Sequence, residues 1–503
     1  MKRLILLLLA LTFVLGSLAA CKKDKGPTEE KQTTASSNTT TRPEDELSEL
    51  EKRALVKDNL PDDLDFEGRE FKTYSFYEMY DIDVEGTDGV GNIVTDSIYT
   101  RNRSVENRLN VNITNVKSTV ARFTEFSEEI RTLGDMGDTE YDAIITMGNA
   151  AIQNNNINAF QDISGLTYIS ADADWWWSEA MQEVSFDINH QKFLIGDICL
   201  SGYTRSGAVL VNLTDYNGKF VDEGIQGLYD LVAEGNWTVE ELRVRAVAAG
   251  VDVDGNGLKF SDTGDYIGLF VGRDEMVKFL EYGFDVKRYS RDASGCVVLD
   301  YDLTRASTAV DALINLLFES EEGVYWQTNY HKASDFPEGR TLFQMTWVSD
   351  LLSPEMRAMD DIYTMVPVPK LDTTQTEYKT NIQNSAQMAA VLKSVTDVDF
   401  VSAVLEALCT ESYRKVVLPF YETALKSLYA KDAGVRQMID IITASASKNF
   451  LYEVQPGGGC GTLITNVVLS ETNVIQSQYE TEKVATEGYL ARLKEQLYPT
   501  PAA

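Results

Sequence analysis

After an apolar leader and a polar stretch, the chain alternates between two hydrophobic periods. Glu70 to Phe76 (EFKTYSF) has strand character, and Val94, Ile98, Val105 and Leu109 then recur at helical spacing on one face. Val111 and Ile113 alternate with asparagines, Phe123 to Leu133 returns to the helical period, and Tyr141 to Met147 (YDAIITM) is an apolar run of strand length. Strand, helix, strand, helix, strand at this spacing predicts a parallel sheet covered by helices. Ligands of such sheets bind beyond the carboxyl ends of the strands. Two loops qualify: one carrying Tyr77 and Tyr80 after the first strand, and one carrying Asn149, Gln153 and Asn154 after the third. Rings beside amides suit a neutral hydroxylated ligand.

Trp175, Trp176 and Trp177 stand in a row. In a strand the middle indole points away from its neighbours, and in a helix the three fan widely, so at least one is expected in a groove, an interface or solvent. A ligand platform and a clamp between sheet and loop are both open readings. Lys192 to Cys199 and Ala208 to Asn212 are strand-like, and the pattern then changes to helices and acidic loops, which marks a second lobe. Thr238 and Glu241 form a capping box that Gly250 closes, with Trp237 placed as a staple. Asp252, Asp254 and Asn256 followed by Gly257 match the first half of a calcium loop, although Thr263 stands where a bidentate acid belongs. An Asp/Gly turn is the alternative; a bound calcium would be structural, and no other cofactor is implied. Tyr363 to Pro369 is extended, Gln387 to Leu392 is strand-like, Asp399 to Leu408 is amphipathic, and a final helix is predicted from about Ser470 to Leu497.

Before this body, Lys2 and Arg3 precede the apolar run Leu4 to Gly16, which ends in Leu18-Ala19-Ala20-Cys21. As a helix the run is roughly 20 Å long, short of the about 30 Å of a bilayer core, so it reads as a signal peptide over residues 1–20. It resembles bacterial lipoprotein signals, which implies diacylglycerol on the Cys21 sulfur and a site on the outer face of the cell membrane; a plain secretory signal would not need a cysteine there. Residues 21–63 are rich in Thr, Ser, Lys and Glu and read as a disordered tether. With 44% hydrophobic residues the remainder is a large globular body. A net charge of −33 repels nucleic acid and anionic lipid, and two histidines argue against imidazole chemistry. Cys199, Cys296, Cys409 and Cys460 are scattered, leaving disulfides or buried thiols open, with thiols preferred.

Several stretches together resemble the extracellular solute-binding proteins of family 1, the sugar-binding components of bacterial ABC importers, most nearly a clostridial type of lipoprotein. They are IYTRNRSVENRLNVNI (98–113), DWWWSEA and KFLIGDICLS, GNWTVEEL, GRTLFQ leading to MVPVPK, and LPFYETALKSLYAKD (418–432). The resemblance implies an α/β fold of the two-lobed periplasmic-binding-protein type (type II). Lobe 1 would span 64–197 with 370–415 returning to it, and lobe 2 would span 203–362 with 416–460 packed on it. Hinge crossings are expected near Ile195 to Tyr203 and Met365 to Pro369. It further implies a monomer that binds a sugar or oligosaccharide between the lobes, on platforms drawn from Tyr77, Trp175 to Trp177, Tyr203, Trp347 and Tyr421, and hands it to ABC permease subunits without chemistry. Val239 departs from the usual second tryptophan of GNWTW. A surface glycoside hydrolase and a peptide-binding or scaffold lipoprotein are the alternatives.

Overall fold

A computed structural model of the chain describes residues 49–76, 83–86, 93–152, 157–262, 264–327, 336–421, 434–446 and 459–498. The expected sites Cys21, Tyr77 and Tyr80 lie outside these residues, as do Gln153, Asn154 and Thr263.

The first sheet grows as the hydrophobic pattern predicts. Strands β1 (Arg69–Ser75), β2 (Val111–Lys117) and β3 (Ala143–Met147) are parallel, with β1 central: Arg69 pairs with Val111, and Thr73 pairs with Ala143. Parallel neighbours need a crossover, and the helices Ile93–Leu109 and Phe123–Met136 supply two. The first buries Val94, Ile98, Val105 and Leu109, the stripe visible in the sequence. The second ends where Gly137 takes φ 64, letting its N–H and that of Asp138 reach the carbonyls of Gly134 and Leu133.

The chain then enters a second sheet through β4 (Gly207–Asn212) and builds β5 (Ile267–Val271), a small hairpin β6 (Tyr289–Arg291) and β7 (Val297–Leu299), β8 (Val324–Trp326), β9 (Thr341–Trp347) and β10 (Tyr363–Val366). It returns to the first sheet as β11 (Gln387–Ala390). The orders are β2-β1-β3-β11 and β8-β5-β9-β4-β10. In the second sheet β5 runs parallel to β8 and β9, whereas β4 is antiparallel to β9. In the first, β11 is antiparallel to β3. Each sheet therefore holds a parallel triplet followed by one antiparallel strand, the first made after arriving from the other sheet; in the second sheet β10 then adds outside β4, antiparallel to it. This is a two-lobed α/β architecture joined by crossing segments. Trp237, Leu242, Leu280, Leu313 and Phe343 belong to the core of lobe 2, and Phe71, Ile98, Phe126 and Phe400 to that of lobe 1.

The first crossing leads from Gly196 to Ser206, the second runs through residues 380–386, and the two hydrogen-bond to each other. Gly207 N–H donates to the Asn381 carbonyl at 3.0 Å, and Gln383 N–H donates to that of Arg205 at 3.0 Å. The second crossing lies beyond the expected Met365 to Pro369. Trp237 Nε1 donates to the Pro367 carbonyl at 2.9 Å, and Leu371 is still in the core of lobe 2, so the proline-fixed segment extends β10 instead of leaving the lobe. After helix Val398–Lys415 in lobe 1 the chain passes toward β10, against which helix Val435–Ala446 packs. The final helix is Ile475–Leu497. Among the described residues no helix is long and apolar enough to cross a membrane.

Candidate functional site

A narrow crevice opens where the crossings meet. Tyr203 and Ser206 come from the first crossing, Phe420 and Tyr421 from the passage after helix Val398–Lys415, and Val348 and Met365 from lobe 2. The space within it that water can occupy is about 10 Å³, room for about one water molecule. Tyr203 and Tyr421 are the expected site residues that the fold brings together: their rings meet edge to face at 5.5 Å. Each hydroxyl is held, Tyr203 donating to Asp197 at 2.6 Å and Tyr421 sharing a 2.8 Å bond with Thr443. Asp197 also accepts from Trp177 Nε1 at 3.1 Å. Burial pushes the Asp197 carboxyl up to about 6, against the pull of these two donors.

The tryptophan row does not line an opening. Trp175, Trp176 and Trp177 are 4%, 3% and 8% exposed, and the expectation that one would face a groove is corrected. The reason is that both sides of this segment are covered. Trp175 and Trp176 donate to the two oxygens of Glu406 on helix Val398–Lys415, at 3.1 and 2.7 Å, while Trp177 turns to the first crossing and packs edge-on against Tyr203 at 4.8 Å. Two glycines make room. A Cβ on Gly196 would lie 2.9 Å from the Trp176 ring, and one on Gly202 would lie 2.6 Å from that of Trp177. These indoles form a clamp, between helix Val398–Lys415 and the first crossing instead of between sheet and loop.

Trp347 closes β9, 6% exposed, with its ring spent on Phe279 at 6.3 Å and the Arg273 guanidinium at 5.9 Å. In this arrangement it is a buried ring of lobe 2 and presents no open platform. Asn149 lies in the short helix Gly148–Ile152 directly after β3, at the carboxyl end of the sheet as expected. The other loops at strand ends fall partly outside the described residues.

The Asp/Gly loop does not fit calcium. Asp252 accepts from the N–H groups of Gly255 and Gly257 at 2.8 and 2.9 Å, Asp254 accepts from Asn256 Nδ2 at 2.6 Å, and the Lys259 ammonium sits on Asn256 Oδ1. Oxygens that would bind a cation are turned onto the loop's own donors, with an ammonium among them. Among the described residues no group of three His, Cys, Asp or Glu side chains is placed to hold a metal. Cys199, Cys296, Cys409 and Cys460 are free and buried.

Sequence reasoning missed Asp197 and Glu406. Both stand out in hindsight as acids inside apolar runs, LIGDIC and VLEALC, a pattern that signals a buried carboxylate with donors waiting for it.

No known family profile matches the sequence, and no curated protein does. Among solved structures the chain is similar to a cyclo/maltodextrin-binding protein complexed with maltotetraose, at 12% identity and a TM-score of 0.49 over 87% of this chain and 100% of that one. It is similar to a cyclic alpha-maltosyl-1,6-maltose binding protein from Arthrobacter globiformis, at 12% identity and a TM-score of 0.49 over 84% and 100%. A third is an ABC transporter solute binding protein from Agrobacterium radiobacter K84 in complex with ribitol, at 10% identity and a TM-score of 0.47 over 86% and 99%.

Proposed function

We propose that this protein is a solute-binding receptor, anchored by a lipid on Cys21 to the outer face of a cell membrane, that captures a neutral sugar or oligosaccharide between its lobes and passes it to an ABC permease. The observation that carries the reading is the parallel triplet with an antiparallel fourth strand found in each sheet, those strands being fed by adjacent crossings, the first of which lines the tyrosine crevice. Paired crossings let two lobes turn about a short axis, and a ligand held between them stabilises one mutual angle. Flat sugar faces stack on phenol rings, so Tyr203 and Tyr421, between which the crevice now admits about one water, would meet a sugar only with the lobes turned apart. Asp197, the carboxylate bound to Tyr203 of the crevice, is engaged by indole and phenol donors, an arrangement of support instead of chemistry. The anchor, the permease and the sugar class rest on the sequence.

A thermal-shift screen of the chain from residue 22 onward, against neutral oligosaccharides of two to six units, tests the reading. At least one sugar is expected to raise the melting temperature, and Tyr421→Ala, which also lowers ligand-free melting by removing a packed ring, to weaken its binding about tenfold or more as measured below the variant's own melting range. Release of reducing ends, or a response only to peptides, would overturn it.

A further inference from the structure

A second contact joins the lobes, sharing no residue with the crevice. Residues 185–190 leave helix Ser178–Val184, whose Met181 and Val184 belong to the lobe 1 core, and meet the β6–β7 hairpin of lobe 2. Val297 N–H donates to the Phe186 carbonyl at 2.9 Å and Ile188 N–H to that of Gly295 at 3.2 Å, making Asp187 and Cys296 an antiparallel pair between those bonds. Arg291 donates to the Ser185 carbonyl at 3.0 Å, at the buried carboxyl end of helix Ser178–Val184. Beneath them Ile157 and Phe186 of lobe 1, Val297 of the hairpin, and Leu490 and Leu493 of the last helix form an apolar cluster separate from either lobe's core. Tyr498 at the end of that helix donates to Asp187, and Lys494 pairs with Asp292 on the hairpin at 2.7 Å.

We infer that the hairpin and the C-terminal helix form a strap that holds residues 185–190 of lobe 1, so that the angle between the lobes is set by this strap as well as by the crossings. The inference deepens the proposed hinge: a change of angle has to break this short ladder, which makes the strap a brake on ligand capture. Two backbone bonds, a guanidinium on carbonyls and a small apolar cluster are a reversible clasp, weak beside the two lobe cores.

The pair itself offers the test. In an antiparallel ladder a pair flanked by the hydrogen bonds has its Cβ atoms close, and Cys296 Sγ already lies 3.6 Å from Asp187 Oδ2. Asp187→Cys should therefore form a disulfide with the native Cys296 on mild oxidation, and Asp187→Cys with Cys296→Ser is the control that cannot. Without any ligand, oxidation is expected to slow amide exchange in residues 200–207 and 380–386 about tenfold relative to the reduced protein, reversibly with dithiothreitol and not in the control. Failure of the bond to form, or its formation with unchanged exchange in both crossings, would overturn the strap. For a sugar found in the screen above, the oxidised form should bind and release it more slowly. If no sugar binds any form, the proposed function falls while the exchange result still decides the strap.

Discussion

Glu406 shows how one side chain reassigns two others. Its oxygens take the N–H groups of Trp175 and Trp176, and burial raises its carboxyl while those donors and Ser170 hold it down. A buried acid with filled oxygens costs little, but removing it strands its donors. Glu406→Ala should lower stability by about 2–5 kcal/mol, read by urea unfolding, whereas Glu406→Gln, which keeps one acceptor oxygen, should cost less. Equal stability of Glu406→Ala and the parent would mean that the indoles find water, and the clamp would be refuted. The sequence spaced the indoles correctly as residues that cannot share one direction. What periodicity could not tell is that both directions are covered, because the covering helix arrives more than two hundred residues later, where Glu406, Cys409 and Tyr413 meet the indole segment.

The proposed hinge lies in the crossings, and two buried acids hold the first of them, Asp197 from within it and Asp83 from lobe 1. Asp83 accepts from Ser201 N–H at 2.8 Å, Asp197 holds Tyr203, and burial pushes each carboxyl up to about 6. A carboxyl raised above its unfolded value binds more protons when folded, so the folded state gains stability as pH falls from 7.5 through about 6 toward 5. Carboxylates held low act in the opposite sense only at more acid pH: Asp397, pulled down chiefly by Arg69, contributes stability that is lost below the ordinary carboxylate range. The melting temperature should therefore be higher at pH 5.5 than at pH 7.5, and Asp197→Asn should flatten that rise. A melting temperature that falls monotonically over this interval would contradict the account. At this scale the strands and helices were largely legible, since β1, β2, β3 and the helices between them follow apolar stripes. The second crossing was not, because the resemblance placed it at Met365 to Pro369, whereas pairing of β10 with β4 and the Trp237 bond to the Pro367 carbonyl keep that segment in lobe 2.

For the whole molecule, the topology of two matched sheets is the feature that organises everything else. Sequence order predicted two lobes, since a parallel unit followed by helices and a returning strand has few other arrangements. The residues lining the crevice were only half legible: Tyr203 and Tyr421 meet there, but Trp347 and the tryptophan row are buried, and the calcium loop is a turn closed on its own amides. Aromatic content points to a site, while the choice between lining and core depends on partners far along the chain. The central claim is that two lobes turn about the crossings to hold a neutral sugar, and small-angle scattering of the chain from residue 22 onward, titrated with the oligosaccharide that most raises its melting temperature, tests it most directly. The account predicts a saturable decrease in radius of gyration at the concentrations that give thermal stabilisation. A radius unchanged at saturating sugar would contradict it.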